Sequence, residues 1–217
     1  MTQSAEHPPI ILASASPYRR KQLETWGLPF TVIQPESDEA RLKRELKGPP
    51  REICQKLAQA KAHSIAAKNP GALVIGSDQI AVTHQGEILN KPGTSENAVH
   101  QLMKLSGHTH SLLTGLAVIY QGQGILQVER VDITFRDLVE DEVRAYVAED
   151  DPWDCAGAYK LERFGICLVK EIKGRDPSSI QGLPMIALTE AIRELLGHMP
   201  FELKPTPLQL APGAPHA

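Results

Sequence analysis

Residues 10–13, Ile-Ile-Leu-Ala, form a short apolar run that stops at Ser14, Ser16 and Pro17, and an amphipathic segment carrying Arg19 and Arg20 begins at once. Four apolar residues bounded by turn formers read as a buried strand, and the Ser-Pro pair reads as a helix N-terminus. A strand joined to a helix by so short a loop commits the start of the chain to an α/β layer arrangement. The same junction has chemical potential. Free N–H groups and the positive end of a helix dipole favour an anion, and guanidinium forks match phosphate oxygens in pairs. A plainer reading stands beside it, because Ser and Pro favour these positions for capping alone. Neither Gly-x-x-x-x-Gly-Lys nor Gly-x-Gly-x-x-Gly occurs in the chain, which argues against a P-loop or a Rossmann dinucleotide fingerprint.

Strand-like and helix-like segments alternate through the rest of the chain. Residues 17–26 read as a helix closed by Gly27, and Phe30 to Ile33 as a second strand. Residues 51–68 carry Ile53, Leu57, Ala60 and Ile65 at helical spacing, with Asn69-Pro70-Gly71 as the stop. Leu73 to Asp78 reads as a buried strand with a carboxylate at its carboxyl end, where open α/β sheets hold ligands. Residues 95–105 form another helix, capped by Thr94 or Ser95 and closed by Gly107. From Ser111 to Phe135 the pattern is two long strands joined through Gln121-Gly122-Gln123-Gly124. Residues 138–149 read as a helix, Ile166 to Val169 as a strand, and Pro184 to Leu196 as a last helix ended by Gly197. Residues 10–200 are expected to be one catalytic domain, with 1–9 a flexible N-terminus and 201–217 a Pro-rich, disordered tail.

A chain of 217 residues can bury a proper core, and one domain with two lobes is expected. The net charge of −3 leaves no electrostatic footprint for nucleic acid or an anionic membrane, so neither is an expected partner. Cys54, Cys155 and Cys167 are too few and too scattered for a disulfide framework or a structural zinc site. With no run near the roughly 20 apolar residues of a membrane span, these features lead to the expectation of a soluble cytoplasmic protein. His108-x-His110 has no third ligand spaced nearby and reads as structural or surface. Trp26, Trp153 and Cys155 read as packing residues.

Several charges fall between elements. Asp38 and Glu39 follow Pro35, Asp78 closes an apolar run, and Lys91 stands in Ile88-Leu89-Asn90-Lys91-Pro92. Each alone reads as a solvated loop charge. Together they offer what a Mg²⁺-type ion bound to phosphates needs, one or two carboxylates among cations.

Order and spacing link these pieces. Leu12-Ala13-Ser14-x-Ser16-Pro17-x-Arg19-Arg20, Asp38-Glu39, Leu57-Ala58-x-x-Lys61-Ala62, Val74-Ile75-Gly76-Ser77-Asp78 and Lys91-Pro92 follow one another. His110 with Thr114-Gly115, Cys155-Ala156-Gly157-Ala158-Tyr159, and Gly174 through Gly182-Leu183-Pro184 complete the series. This ordered set resembles the Maf family of nucleotide pyrophosphatases, from about Ile10 to about Leu196. The resemblance implies an elongated α/β, Maf/ITPase-like fold, with a mixed sheet and two lobes around a deep nucleotide cleft. It implies hydrolysis of a nucleoside triphosphate to the monophosphate and pyrophosphate, with a divalent cation such as Mg²⁺, Mn²⁺ or Co²⁺. Carried over, Ser14, Arg19, Arg20, Lys61 and Lys91 would line the triphosphate. Glu39 would help hold the metal, and Asp78 would be the general base, a metal ligand, or both. A homodimer is left open.

Within the family the chain is most similar to the branch that favours 7-methylguanosine triphosphate. Tyr18, Gln79 and Glu162 match that branch's aromatic, Gln and Glu positions, and Gly174-Arg175-Asp176-Pro177 also belongs to it. A methylated purine cation suits an aromatic face and a carboxylate. Two positions depart from the pattern. Tyr18 replaces the usual Trp, and Arg163 stands where Gly is frequent. The other functions to weigh are the dTTP/UTP pyrophosphatase of the sister branch and a nucleotide-binding regulator of cell division.

Overall fold

The structure is a computed structural model, and it describes residues 7–35 and 45–204. Glu39 and its neighbour Asp38 lie outside the described residues. The elements follow in order as β1 (Ile10–Ala13), α1 (Pro17–Glu24), β2 (Thr31–Ile33), α2 (Pro50–Ala66), β3 (Leu73–Val82) and β4 (Ile88–Leu89). After them come α3 (Ser95–Leu105), β5 (Thr109–Tyr120), β6 (Gln123–Phe135), α4 (Glu140–Asp150), β7 (Val169–Gly174) and α5 (Met185–Leu196). The strands make one mixed sheet in the order β2-β1-β3-β5-β6-β7, with β4 paired to β3. β1 runs parallel to β2 and β3, whereas the pairs β3–β4, β3–β5, β5–β6 and β6–β7 are antiparallel.

Three expectations shift. Asp78 does not end its strand, because β3 continues to Val82 with β5 paired to it from Val74 to Val82. The carboxyl end that matters belongs to β1, whose pairing with β3 stops at Ala13 opposite Gly76. Beyond that point β3 loses its neighbour on that side until β4 joins at Ala81, and Ser77 to Ile80 border the gap. The strand expected over Ile166 to Val169 is a 3-10 turn over Phe164–Leu168 followed by β7. Gly165 explains the turn, since its Cα packs so close to Lys160 that a Cβ would lie 2.5 Å from that carbonyl oxygen. Phe201 to Leu203, expected to belong to the tail, are ordered in a turn. Pro200–Leu203 form a 3-10 turn and Leu203 is buried against α1 and α5 residues. At the other end, the Pro9 carbonyl accepts the Leu73 N–H at 2.9 Å, which ties the chain down before β1.

Both faces of the first half of the sheet are covered. Ile11, Ala13, Val74 and Ala117 pack against Ala58, Ala62 and Ile65 of α2. On the opposite face Leu12, Ile75, Leu116 and Val118 pack against Leu188, Ala191 and Ile192 of α5. A second core joins Leu102 and Leu105 of α3, Val143 and Val147 of α4, and Val131, Ile133 and Phe135 of β6.

Glycine sets how closely α2 sits on the sheet. A Cβ at Gly76 would lie 2.6 Å from the Ala58 carbonyl oxygen, and one at Gly115 would lie 2.7 Å from that of Cys54. No side chain fits at either position, so the helix backbone rests directly on β3 and β5.

Candidate active site

That close approach delivers Lys61 to Asp78. Strand alternation turns Gly76 and Asp78 towards α2, and Lys61 leaves the helix between Ala58 and Ala62, which touch the sheet. Lys61 Nζ lies 2.6 Å from Asp78 Oδ1, and the residues are 8% and 2% exposed. Next to them the Cys54 thiol donates to the backbone oxygens of Leu113 and Asp78. Burial first, and then the Asp78 charge, push that thiol up to about 12, so it is a protonated packing group.

The loop after β1 is built from its own hydroxyls. Ser16 caps α1 by accepting the Arg19 N–H, Pro17 occupies the first helical position, and Ser14 Oγ accepts the Ser16 N–H at 3.1 Å. The Arg19 guanidinium then reaches across the cleft. Its Nε donates to the Gly182 carbonyl at 2.7 Å and Nη1 to Ser14 Oγ at 3.4 Å. Arg20 turns the other way, pairs with Glu24 at 2.8 Å and is 63% exposed, so it does not line the cleft.

The wall opposite this loop is the segment 176–185. Asp176, buried, accepts the N–H groups of Ser178 and Ile186, which fixes the turn leading into α5. Ser77 Oγ lies within hydrogen-bond distance of the carbonyls of Gly182 and Gly115, at 2.8 and 2.7 Å. The Gln22 carboxamide nitrogen donates to Ser178 and Leu183 carbonyls at 2.7 Å each. Gln79 nitrogen lies 2.9 Å from Ser179 O, 3.0 Å from Thr114 Oγ1 and 3.1 Å from Ile180 O. With its nitrogen committed, Gln79 presents its carboxamide oxygen as its acceptor. Ser77, Thr114 and Asp176 stand in the motif series without a site role there, and Gln22 lies outside it.

These walls enclose a cavity of about 270 Å³, near the lower end of the range usual for small-molecule sites, roughly 300 Å³. It is lined by Ser14, Tyr18, Arg19, Lys61, Asp78, Gln79, Lys91 and Glu162. Asp154, Cys155, Tyr159 and Leu161 complete the side formed by residues 154–162. Of the residues proposed from sequence, only Arg20 among those described stays outside. The charges are unevenly spread. Arg19, Lys61 and Asp78 cluster around the end of β1, while Asp154 and Glu162 come from the segment near Tyr18. Lys160 links Tyr18 to that segment, lying 3.3 Å from Asp154 Oδ1 and donating to the Asp151 carbonyl at 2.9 Å. Burial works against the Lys160 charge, and the Asp154 hydrogen bond overrides it, so its pKa is raised. Burial, with Cys155 and Asp154 adding to it, raises the Tyr18 phenol.

His108 and His110 do not form a metal pair. His108 is exposed and stacks on His84 at 4.1 Å, whereas His110 is buried with Nε2 2.9 Å from the Tyr159 hydroxyl. Among the described residues no group of three or more His, Cys, Asp or Glu side chains is arranged to hold a metal by itself. Among them, too, no helix is long and apolar enough to cross a membrane.

A mixed α/β sheet with a cation-lined cleft at the end of its first strand defines the class. The chain belongs to the Maf family, whose profile, described as Maf-like protein, matches residues 9–195. It is 41% identical over 189 residues to the 7-methyl-GTP pyrophosphatase of Nitrosococcus oceani, covering 86% of this chain and 93% of that one.

Proposed function

We propose that this chain hydrolyses the α–β phosphoanhydride of 7-methyl-GTP, releasing 7-methyl-GMP and pyrophosphate. The observation that carries the reading is the buried Lys61–Asp78 pair, set in one cavity with the Ser14–Arg19 loop. In the reaction a water oxygen bonds to phosphorus and one side of the bridging P–O–P linkage breaks, leaving the β and γ phosphates together as pyrophosphate. Asp78 accepts the proton that the water gives up. Lys61 holds the Asp78 carboxylate in place, and Arg19 and Lys91 with Lys61 balance the charge gathering on the leaving group. Arg19 is pre-aimed by the Gly182 carbonyl, so its geometry exists before substrate arrives.

The donor set fits a divalent cation of the Mg²⁺ type, which takes one or two protein carboxylates and completes its shell with phosphate oxygens and water. Asp78 would hold it, with Glu39 from outside the described residues as the second carboxylate. The ion would supply charge neutralisation on the phosphates.

Selection of the base falls to Tyr18, Gln79 and Glu162. A methylated guanine is cationic, and the Tyr18 ring offers it a face worth roughly 0.5–2 kcal/mol, or several-fold to about thirtyfold in preference. The Asp154 and Glu162 carboxylates add a negative surround. We place the enzyme in the cytoplasm, which suits free thiols and a nucleotide substrate.

The test is a comparison of kcat/KM for 7-methyl-GTP, GTP, dTTP and UTP, read as pyrophosphate release with Mg²⁺, Mn²⁺ or Co²⁺. The expected order puts 7-methyl-GTP first. Preference for dTTP or UTP assigns the sister-branch substrate instead. Nucleotide binding without release from any of the four assigns the nucleotide-binding regulator of cell division. Light scattering on the same sample decides between monomer and homodimer.

A further inference from the structure

Glu162 stands in a turn that lies off the sheet. The Lys160 carbonyl accepts the N–H groups of both Arg163 and Gly165 at 3.1 Å, which closes the turn on itself. The turn is anchored by Asp150, the last residue of α4 and fully buried. Arg163 Nε lies 3.2 Å from Asp150 Oδ1, and Arg163 Nη2 donates to the Glu149 carbonyl at 3.3 Å. At the other end of the turn the Lys160 N–H donates to the Tyr146 hydroxyl at 2.9 Å, and that hydroxyl lies beside the Asp150 carboxylate. Both ends therefore hang on one helix terminus. The two residues between them, Leu161 and Glu162, line the cavity.

We infer that Arg163 and Asp150 are positioning residues for base selection, their ion pair holding the Lys160–Arg163 turn so that Glu162 faces the base already ordered. The inference rests on the proposed nucleotide pyrophosphatase reading. Arg163 is one of the two positions where the chain departs from the family pattern, and its φ of −128° lies outside the left-handed region that would favour glycine. A glycine there would have no side chain to pair with Asp150 and would free the backbone. The pair is unequal in exposure, 49% for the Arg163 side chain and 0% for that of Asp150. Losing the guanidinium therefore leaves a buried carboxylate without its cation, and the turn that carries Arg163 loses that tie to α4. An ordered Glu162 spares the bound state the entropy of fixing it, which acts on KM.

The experiment compares wild type, Arg163→Ala and Arg163→Lys by amide hydrogen exchange in the free full-length protein and by steady-state kinetics. In Arg163→Ala the amides of 160–165 are expected to exchange about tenfold faster, with those of β3 and α2 unchanged. KM for 7-methyl-GTP is expected to rise about five- to tenfold with kcat within about twofold, and the advantage over GTP to shrink. Arg163→Lys, which keeps a cation for Asp150, is expected to restore most of both. Unchanged exchange at 160–165 in a folded Arg163→Ala protein overturns the anchoring. Faster exchange with unaltered discrimination, or an equal fall in kcat for every nucleotide, overturns the role in base selection. A wild type that releases pyrophosphate from no nucleotide overturns the functional reading, while the exchange result still decides the anchoring.

Discussion

Lys61 Nζ and Asp78 Oδ1 are 2.6 Å apart, one carried by a helix and the other by the middle of a strand, and both residues face the cleft. A buried pair of this kind is weak evidence for stability, because desolvation offsets much of the Coulombic gain. Its placement at the end of β1, beside a loop that presents Arg19 and Ser14, gives it a chemical use.

Asp78→Asn keeps the side-chain shape and removes the charge and the proton affinity. Turnover is expected to fall about 10²–10⁴-fold, the usual contribution of a general base. Nucleotide binding, followed by calorimetry, should persist, and circular dichroism should report a folded protein. Near-normal turnover would remove Asp78 from the proton-transfer step.

Gly76→Ala tests the helix–sheet approach. The added Cβ would meet the Ala58 carbonyl oxygen at 2.6 Å and the Ala62 nitrogen at 2.7 Å, both backbone atoms that cannot step aside alone. Urea unfolding should show a loss of about 1–3 kcal/mol, the usual cost of overpacking. Because α2 carries Lys61, kcat should fall along with stability.

Gln22→Ala would leave the Ser178 and Leu183 carbonyls without their shared donor in a buried setting. A stability loss of about 1–3 kcal/mol follows, since the Ser178 carbonyl loses its side-chain donor and that of Leu183 keeps only the Ser178 hydroxyl at 3.4 Å. The Gly182 carbonyl that aims Arg19 lies in the same segment, so KM for the triphosphate should rise even though Gln22 touches no substrate.

His110 carries a pH signature. Burial lowers its pKa from 6.5 to about 4, with Asp132 opposing the shift. The unfolded chain takes up a proton near pH 6.5 that the folded chain refuses until about pH 4. Stability from this group is complete above pH 6.5 and declines as the pH falls towards 4, by at most about 1.4 kcal/mol per pH unit. Denaturant titrations between pH 6.5 and 5 should show this slope, and His110→Gln should flatten it. A wild type equally stable across that window would contradict the assignment.

Much of this site is written locally. The β1–loop–α1 junction is specified by an apolar run, two hydroxyls and a proline within eight residues, so Ser14 and Tyr18 can be placed from neighbours alone. Consecutive helical residues point about 100° apart, and nothing in the Arg19-Arg20 pair says which one faces inward. The far wall supplies that information, through a Gly182 carbonyl 163 residues away. Gln22 was missed for a related reason. It reads as an ordinary polar helix residue until its partners, 156 and 161 residues along the chain, bury it. The strand continues past Asp78 because β5 pairs with it residue by residue, although a buried carboxylate followed by Gln79 looks like a strand ending. In the sequence Arg163 is only a departure from the family pattern, and its pairing with Asp150 is visible only once α4 and the turn are side by side.

The most direct measurement is phosphorus NMR of the products formed from 7-methyl-GTP during the first turnovers. The account predicts equal amounts of 7-methyl-GMP and pyrophosphate, with no diphosphate intermediate. Early accumulation of 7-methyl-GDP with orthophosphate would show cleavage at the γ phosphate and contradict it.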